Sequence, residues 1–218
     1  MVGISALSDD LLLKILYFLP TKVAVSTSLL SKQWEFLWMW LPKLEYDEYY
    51  DITGPLSSSW LRYAEFIDKN LPLHRAPVIE ILILSFSYGS LSRPDRIKIW
   101  AGIAVSRFVR ELSIVYLCGK PSDVLSLPRS LYTSNSLMTL KLEGNNILVN
   151  VPRIVCLPSL KTLELHRVAF LDEDSLRLLL SHCPVLEDLC IVFVRDRDQD
   201  NLIAIVVTSR LCSVYPCI

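Results

Sequence analysis

The stretch Leu7 to Leu41, LSDDLLLKILYFLPTKVAVSTSLLSKQWEFLWMWL, decides how the rest of the chain is organised. Ser8 is a natural N-cap for a first helix, with Asp9 and Asp10 in the first turn, where negative charge is favoured. Pro20 ends this helix. Large apolar residues recur at helical spacing between these two points and form one stripe: Leu11, Ile15, Phe18 and Leu19, widened by Leu12 and Leu16.

Two more short helices are predicted in the same stretch. The second covers residues 24–30, and the third opens at Ser31 and carries Trp34, Leu37 and Trp38. Three helices in about 35 residues are too small for a self-sufficient core. We therefore expect a second polypeptide to cover the apolar stripe; the alternative is that the stripe packs on the rest of this chain.

Residues 4–46 resemble the F-box, through which substrate receptors dock on the Skp adaptor of cullin-RING ubiquitin ligases. The resemblance is carried by Leu7, Asp9-Asp10-Leu11-Leu12, Ile15-Leu16, Leu19-Pro20, Ser31-Lys32, Trp34, Leu37 and Trp38. It implies that the adaptor contact, or its immediate packing, comes from Leu7, Leu11, Leu12, Ile15, Leu16, Leu19, Pro20, Leu30, Lys32 and Trp34. Ser8, Val23 and Gln33 depart from the pattern, in which proline, an acidic residue and a basic residue are common. Lost charge at Val23 and Gln33 is expected to weaken docking.

The composition is apolar and electrically balanced. Hydrophobic residues make up 52% of the 218 positions, and 22 basic residues face 23 acidic ones. Because no basic excess exists, neither nucleic acid nor an anionic membrane is indicated as a partner. The longest run without a charged residue, Ile81 to Ser92, is twelve residues and too short to span a bilayer.

From the N-terminus and the cysteines we expect an intracellular protein, in the nucleus, the cytoplasm or both. No basic region precedes the first apolar run, as a signal peptide would require. Six cysteines occur without a C-x-x-C pair, which favours reduced thiols.

An acidic, tyrosine-rich segment at 41–55 reads as a linker that closes on Gly54-Pro55. Ser57 to Ser59 can cap a following helix, which we expect to begin the second domain and to cover its first edge. The residues on its inner face are Trp60, Tyr63, Ala64, Ile67 and Leu71.

A recurring pattern, apolar-x-x-apolar-x-apolar, fills the rest of the chain. Its starts are 30, 28, 23 and 26 residues apart, close to the period of leucine-rich repeats. In each strand the last two apolar positions point to the same side, into the coil. The five triads are Ile79, Leu82, Leu84; Val109, Leu112, Ile114; Leu137, Leu140, Leu142; Leu160, Leu163, Leu165; and Leu186, Leu189, Ile191.

The segments between the triads predict returning helices. Residues 94–108 form one, with Ile97, Trp100, Ala101, Ala104, Val105 and Phe108 turned inward. Asp172 is the N-cap of another, with Glu173 and Asp174 in its first turn, Leu176, Leu179 and Leu180 inward, and Pro184 at its end. Asn145 matches the repeat asparagine and is predicted to be an internal amide that bonds turn backbone; a ligand contact is the alternative.

Repeats of this kind behind an F-box resemble the plant F-box proteins with leucine-rich repeats and, often, a C-terminal FBD domain. The implied fold class is α/β: a three-helix F-box (4–46), a linker and N-terminal helix (47–76), and an irregular leucine-rich-repeat solenoid with short parallel strands (77–218). About five repeats are expected. No FBD domain and no capping element is recognised after Thr208, so we expect either a truncated product or a shortened member of the family.

Three groups of residues contain side chains that are common in metal or catalytic sites. Alternating aspartates at 195–200 lack the glycine and glutamate of a calcium loop, so a solvated loop is predicted. His182, Cys183 and Cys190 lack zinc spacing, and the two cysteines are predicted to fill core positions. His74 and His166 are predicted to be surface or loop residues. No catalytic residue, metal or cofactor is expected.

The resemblance implies a non-catalytic substrate receptor of a cullin-RING ligase, which holds the Skp adaptor and, through it, cullin, and binds an unidentified target protein with its repeats. The alternative is a competitor that binds adaptor or target without promoting ubiquitination. A hydrolase, the third possibility, is supported by no motif.

Overall fold

The computed structural model describes residues 7–47, 56–86, 93–117, 122–172, 174–193 and 203–208. Several predictions fall outside these described residues. They concern the solvated loop at 195–200, most of the linker, Glu173, Cys118, Cys212, Cys217, the side chain of Trp60 and the first residues of the F-box segment.

The N-terminal unit consists of two short α-helices and two 3₁₀ turns around a small core. The α-helices are α1 (Asp9–Leu16) and α2 (Thr21–Ser26), and the 3₁₀ turns cover Thr27–Leu29 and Leu37–Trp40. Their shared core is formed by Leu12, Leu16, Ala24, Trp34, Leu37, Trp38, Met39 and Leu41.

Two helix predictions in this unit were wrong in detail. The second helix begins at Thr21, directly after Pro20, because proline fits the position that precedes the first helical turn. The third is not an α-helix opening at Ser31 but a series of turns, with Trp34 N–H bonded to the Ser31 carbonyl at 3.0 Å. Three-residue turns place Trp34 and Leu37 on the same side, where both are buried.

The rest of the chain is a coil built mainly of parallel strands, which confirms the α/β class. The main sheet has the order β1-β2-β3-β5-β7-β9-β10, and a second sheet has the order β4-β6-β8. The strands are β1 (Lys43–Asp47), β2 (Ile81–Phe86), β3 (Glu111–Tyr116), β4 (Leu125–Ser126), β5 (Thr139–Glu143), β6 (Ile147–Val149), β7 (Thr162–His166), β8 (Ala169–Phe170), β9 (Asp188–Phe193) and β10 (Ile203–Thr208). The helices are α3 (Leu56–Asn70), α4 (Pro94–Ser106) and α5 (Asp174–Ser181), with 3₁₀ turns at Leu71–Leu73 and Arg129–Thr133.

The five apolar triads each form one strand, as predicted. Their second positions lie side by side across the sheet in register, and so do their third positions. Leu82, Leu112, Leu140 and Leu163 are buried, and so are the residues two positions further along. The apolar rows therefore form one continuous core beneath the sheet.

A sixth parallel strand, β1, lies in the segment predicted to be a linker, so that prediction was wrong for residues 43–47. Leu44 pairs with Leu82 and Tyr46 with Leu84, and both β1 residues are buried. The expected role of the following helix was also wrong. α3 runs from β1 to β2 and packs on the inner side of the coil, so it is a returning helix and does not cover an edge.

The far end of the main sheet carries one strand that the triads did not predict. β10 pairs antiparallel with β9, and the residues after Thr208, where no capping element was expected, lie outside the described residues. A bonded neighbour satisfies the backbone groups that an edge strand would expose.

Three side-chain predictions in the repeats were wrong. Phe108 is 62% exposed with φ of 56°, because it lies just beyond the end of α4 in the left-handed position that reverses the chain. Asn145 is exposed rather than internal, and it lies in the turn that follows buried Gly144. His74 is buried rather than on the surface.

The helix-capping prediction at Asp172 was confirmed. Its Oδ1 accepts hydrogen bonds from the Ser175 N–H and the Ser175 hydroxyl, both at 2.7 Å. Ser8 occupies the N-cap position of α1, but only its backbone carbonyl bonds to the first turn, at 3.0 Å to the Leu11 N–H.

Candidate functional site: the open apolar face of the first helix

Helix α1 divides its large apolar side chains between two faces. Leu12 and Leu16 face the core of the N-terminal unit and have no exposed surface. Leu11 and Ile15 point outward and remain 47% and 45% exposed. Since helical positions four apart share a face, the outward pair forms a continuous apolar strip.

Phe18 extends this strip beyond the end of the helix. It is 81% exposed and meets the Tyr17 ring edge to face, with 5.8 Å between the ring centroids. Leu7, Leu11, Lys14, Ile15 and Phe18 line an open hollow of about 360 Å³. Lys14 is the one charged residue among them.

A second apolar hollow lies on the other flank of α1. Leu13, Lys14, Tyr17, Phe18 and Pro42 line this space of about 300 Å³. Phe18 and Lys14 border both hollows and form a ridge between them. Two apolar grooves along one short helix offer a surface on which the side chains of another protein can insert.

Exposed apolar residues continue on the segment that follows α1. Val23 is 43% exposed, Leu29 is 88% exposed and Leu30 is 68% exposed. Burying a large apolar side chain is worth ~1.5–3 kcal/mol, so a partner that covers several of these residues gains substantially. Apolar surface of this extent marks interaction sites in soluble proteins.

Gln33, at a position where a basic residue was expected from the resemblance, has a structural role. Its Nε2 donates hydrogen bonds to the Leu7 carbonyl at 2.9 Å and to Asp9 Oδ1 at 3.1 Å. These bonds join the turn before Trp34 to the start of α1. A neutral amide therefore holds Leu7 beside the outward face.

The residues predicted for adaptor contact lie in three environments. Leu11, Ile15, Leu30 and Lys32 are exposed, and Leu7, Leu19 and Pro20 are partly exposed. Leu12, Leu16 and Trp34 are buried, so they can support the surface but not form it. The predicted set omitted Phe18 and Leu29, although Phe18 follows Ile15 by three residues and Leu11 by seven, the spacing of one helical face.

The N-terminal unit is joined to the coil by hydrogen bonds that backbone N–H groups donate at the first edge of the main sheet. The Glu45 N–H of β1 donates to Thr21 Oγ1 at 2.7 Å, and Thr21 is buried. The Arg75 and Ala76 N–H groups both donate to the Met39 carbonyl, at 2.7 and 3.1 Å. The helices thus cover an edge strand that would otherwise expose unpaired groups.

His74 is buried at this junction. Burial, and to a lesser extent the positive charge of Arg107, lowers its pKa to about 4. The ring is therefore neutral near pH 7, and it contributes an uncharged aromatic surface to the packing of the two units.

The outward face of the main sheet is a second candidate surface, and it is acidic. Six carboxylates and two lysines occupy the outward positions of the six parallel strands. These residues are Glu45, Asp47, Glu111, Glu143, Glu164 and Asp188, with Lys43 and Lys141. Lys43 pairs with Glu45 at 2.7 Å and Lys141 with Glu164 at 3.2 Å.

Cys190 lies on this outward face and is partly exposed, so its predicted core position was wrong; Cys183 is buried as predicted. Cys190 Sγ lies 3.5 Å from His166 Nε2. Burial and the nearby Glu164 carboxylate raise the pKa of this thiol. A neutral thiol is a poor nucleophile, so the pair does not indicate a catalytic dyad.

The described residues contain neither a candidate metal site nor a candidate membrane-spanning helix. Among them, no three His, Cys, Asp or Glu side chains are grouped so that they could hold a metal ion. No helix in the part of the chain described above is long and apolar enough to cross a bilayer.

A small helical unit with an open apolar face, fused to a coil of leucine-rich strands, defines the class of F-box proteins with leucine-rich repeats. The F-box domain model matches residues 4–46. The model described as "FBD-associated F-box protein At5g56370, LRR repeats" matches residues 97–215, more than half of the chain. The chain belongs to this family of FBD-associated F-box proteins.

Similar proteins are known from Arabidopsis thaliana. FBD-associated F-box protein At5g60610 is 55% identical over 208 residues, covering 95% of this chain and 50% of the relative. FBD-associated F-box protein At4g10400 is 50% identical over 209 residues, covering 94% and 48%. F-box protein At4g09920 is 50% identical over 215 residues, covering 97% and 65%. The chain spans about half the length of most of the curated relatives it matches.

Proposed function

We propose that this chain is a substrate-recognition subunit of an SCF-type cullin-RING ubiquitin ligase. The F-box binds a Skp-family adaptor, and through it cullin, while the repeat coil binds a target protein. The single observation that carries the proposal is that the large apolar side chains of α1 are divided between a buried face and an open face. Leu12 and Leu16 are sealed inside, whereas Leu11, Ile15 and Phe18 remain open on the opposite face.

Catalysis in this proposal is by proximity, so the chain needs no reactive side chain of its own. A receptor that binds both adaptor and target raises the local concentration of target lysines near the conjugating enzyme. The hydrogen bonds of Met39 and Thr21 at the junction support this role, because they fix the F-box relative to the sheet. The free thiols of Cys156, Cys183 and Cys190 suit an intracellular site of action, in the nucleus, the cytoplasm or both.

The docking test is co-purification of the full chain with a Skp-family adaptor. The Leu11→Asp/Ile15→Asp variant should lose the adaptor, because two charges would have to be desolvated in the interface. The matched control is Ile99→Asp/Leu171→Asp, which changes two apolar residues outside the F-box that are somewhat more exposed, at 60% and 56%. Adaptor binding that survives Leu11→Asp/Ile15→Asp would refute docking through this face.

Delivery of a target is tested separately, by reconstituting ubiquitin transfer with the purified ligase components and a co-purifying target. A receptor should promote transfer of ubiquitin to that target. If the chain binds adaptor and target but transfer does not increase, the chain acts instead as a competitor.

A further inference from the structure

A hollow of about 660 Å³ lies between the 3₁₀ turn Arg129–Thr133 and the loop 150–154. It shares no lining residue with the hollows on α1 or with the outward positions of the main sheet. Its lining consists of Arg129, Ser130, Thr133, Asn150, Val151, Pro152, Arg153 and Ile154.

Both walls of this hollow are anchored in the core. Leu131 and Tyr132 are buried beneath one wall, and Val149 and Val155 flank the other and are buried as well. The Cys156 N–H donates to the Tyr132 carbonyl at 2.8 Å and joins the two walls. The hollow is therefore preformed, and a ligand would not have to order its walls on binding.

One part of the lining is aliphatic and accessible. Val151, Pro152 and Ile154 provide it, and Ile154 is 76% exposed. An apolar side chain placed against these residues would be removed from water together with them.

Positive charge borders the same aliphatic surface. Arg129 and Arg153 line opposite walls and are exposed, and neither forms an ion pair with a carboxylate of the described residues. The whole chain is nearly neutral, so this pair of charges is a local feature. A guanidinium pairs best with a planar carboxylate, which it can bind through two hydrogen bonds.

We infer that this hollow binds a short acidic peptide segment of a protein partner. An aliphatic side chain of the segment packs on Val151 and Ile154, and neighbouring carboxylates pair with Arg129 and Arg153. Ser130 and Asn150 line the hollow between these contacts and can bond to the peptide backbone. This site does not depend on the docking proposal.

The test measures binding of a synthetic fluorescent peptide, in which aspartate and glutamate alternate with leucine, to the full chain by fluorescence anisotropy. The amide counterpart, with asparagine and glutamine in place of the acids, should bind about tenfold more weakly. The Arg129→Glu/Arg153→Glu variant should show a similar loss for the acidic peptide. Ile154→Asn should weaken both peptides, because it removes the shared apolar contact.

A matched control separates the site from general charge. Arg93→Glu/Arg177→Glu makes the same change in net charge at two exposed arginines that do not line the hollow. This variant should bind the acidic peptide as the parent does, and all variants should keep the parent melting temperature. Failure of the parent to bind the acidic peptide, or equal losses in both arginine pairs, would overturn the proposal.

Discussion

Replacement of Phe18 by alanine tests the open face of α1 with the least effect on the fold. Because Phe18 is 81% exposed, truncating it removes few contacts within the free chain. We therefore expect the free energy of unfolding to change by no more than ~0.5 kcal/mol, as for other surface substitutions.

Phe18→Ala is expected to weaken adaptor binding, and the size of this loss in binding free energy follows from the exposed fraction of the Phe18 side chain. Full burial of such a side chain is worth ~1.5–3 kcal/mol, so covering the exposed four-fifths is worth ~1.2–2.4 kcal/mol. At tenfold per ~1.4 kcal/mol, Phe18→Ala should weaken adaptor binding by about 7-fold to 50-fold. Titration calorimetry with the purified adaptor measures this change directly.

Two controls make the result decisive. Phe108→Ala removes another exposed phenylalanine, 62% exposed and outside the F-box, and should leave adaptor affinity unchanged. Leu16→Ala empties a fully buried position and should cost ~2–5 kcal/mol of stability. If Phe18→Ala binds the adaptor as tightly as the parent, the ridge between the two hollows is not part of the interface and the reasoning fails.

Three further predictions concern the fold. Gly144→Ala should destabilise the chain by more than ~2 kcal/mol in chemical denaturation, because φ is 152° and an added Cβ would lie 2.0 Å from the Tyr116 carbonyl oxygen; an unchanged midpoint would contradict this. Asp172→Ala should cost ~0.5–2 kcal/mol through the lost cap to Ser175, whereas Asp172→Asn should retain most of the stability. Because burial lowers the pKa of His74 to about 4, its contribution to stability is complete above pH ~6.5 and is lost as the pH falls toward 4, by about 3 kcal/mol. Unfolding curves of the parent and of His74→Leu should therefore diverge over this range, and parallel pH profiles would refute the assignment.

The repeat strands could be predicted from the sequence because their signal is local. Each triad combines a gap of three residues with a gap of two, and its last two positions must share one face of a strand. The same pattern occurs at Leu41, Leu44 and Tyr46 and would have identified β1. It was missed because the spacing to the next triad is 38 residues, beyond the usual repeat length, and because lysine and acidic residues alternate with the apolar ones.

The errors on single side chains have a different cause. Phe108 fits the helical spacing of an inward face, but α4 ends before it and the left-handed turn reverses its direction. Cys190 looks like a small core residue, yet the strand alternation places it on the face opposite to its neighbours, partly buried Leu189 and buried Ile191. One residue of offset decides between the core and the surface, and only the pairing of strands fixes that offset.

The order of residues is sufficient to predict the class of this protein. It shows a short helical unit that is too small to bury all of its apolar side chains, followed by a periodic series of leucine-rich strands. Both properties depend on spacing along the chain, which the order of residues contains completely. The tertiary structure decided which of the α1 residues remain open, because Leu11 and Leu12 are equally apolar and differ only in which face the core seals. The positions of the helices over β1, and of Arg129 and Arg153 on opposite walls of one hollow, also follow only from the tertiary structure. These residues are far apart along the chain, and no pattern in the sequence indicates that they lie close together in space.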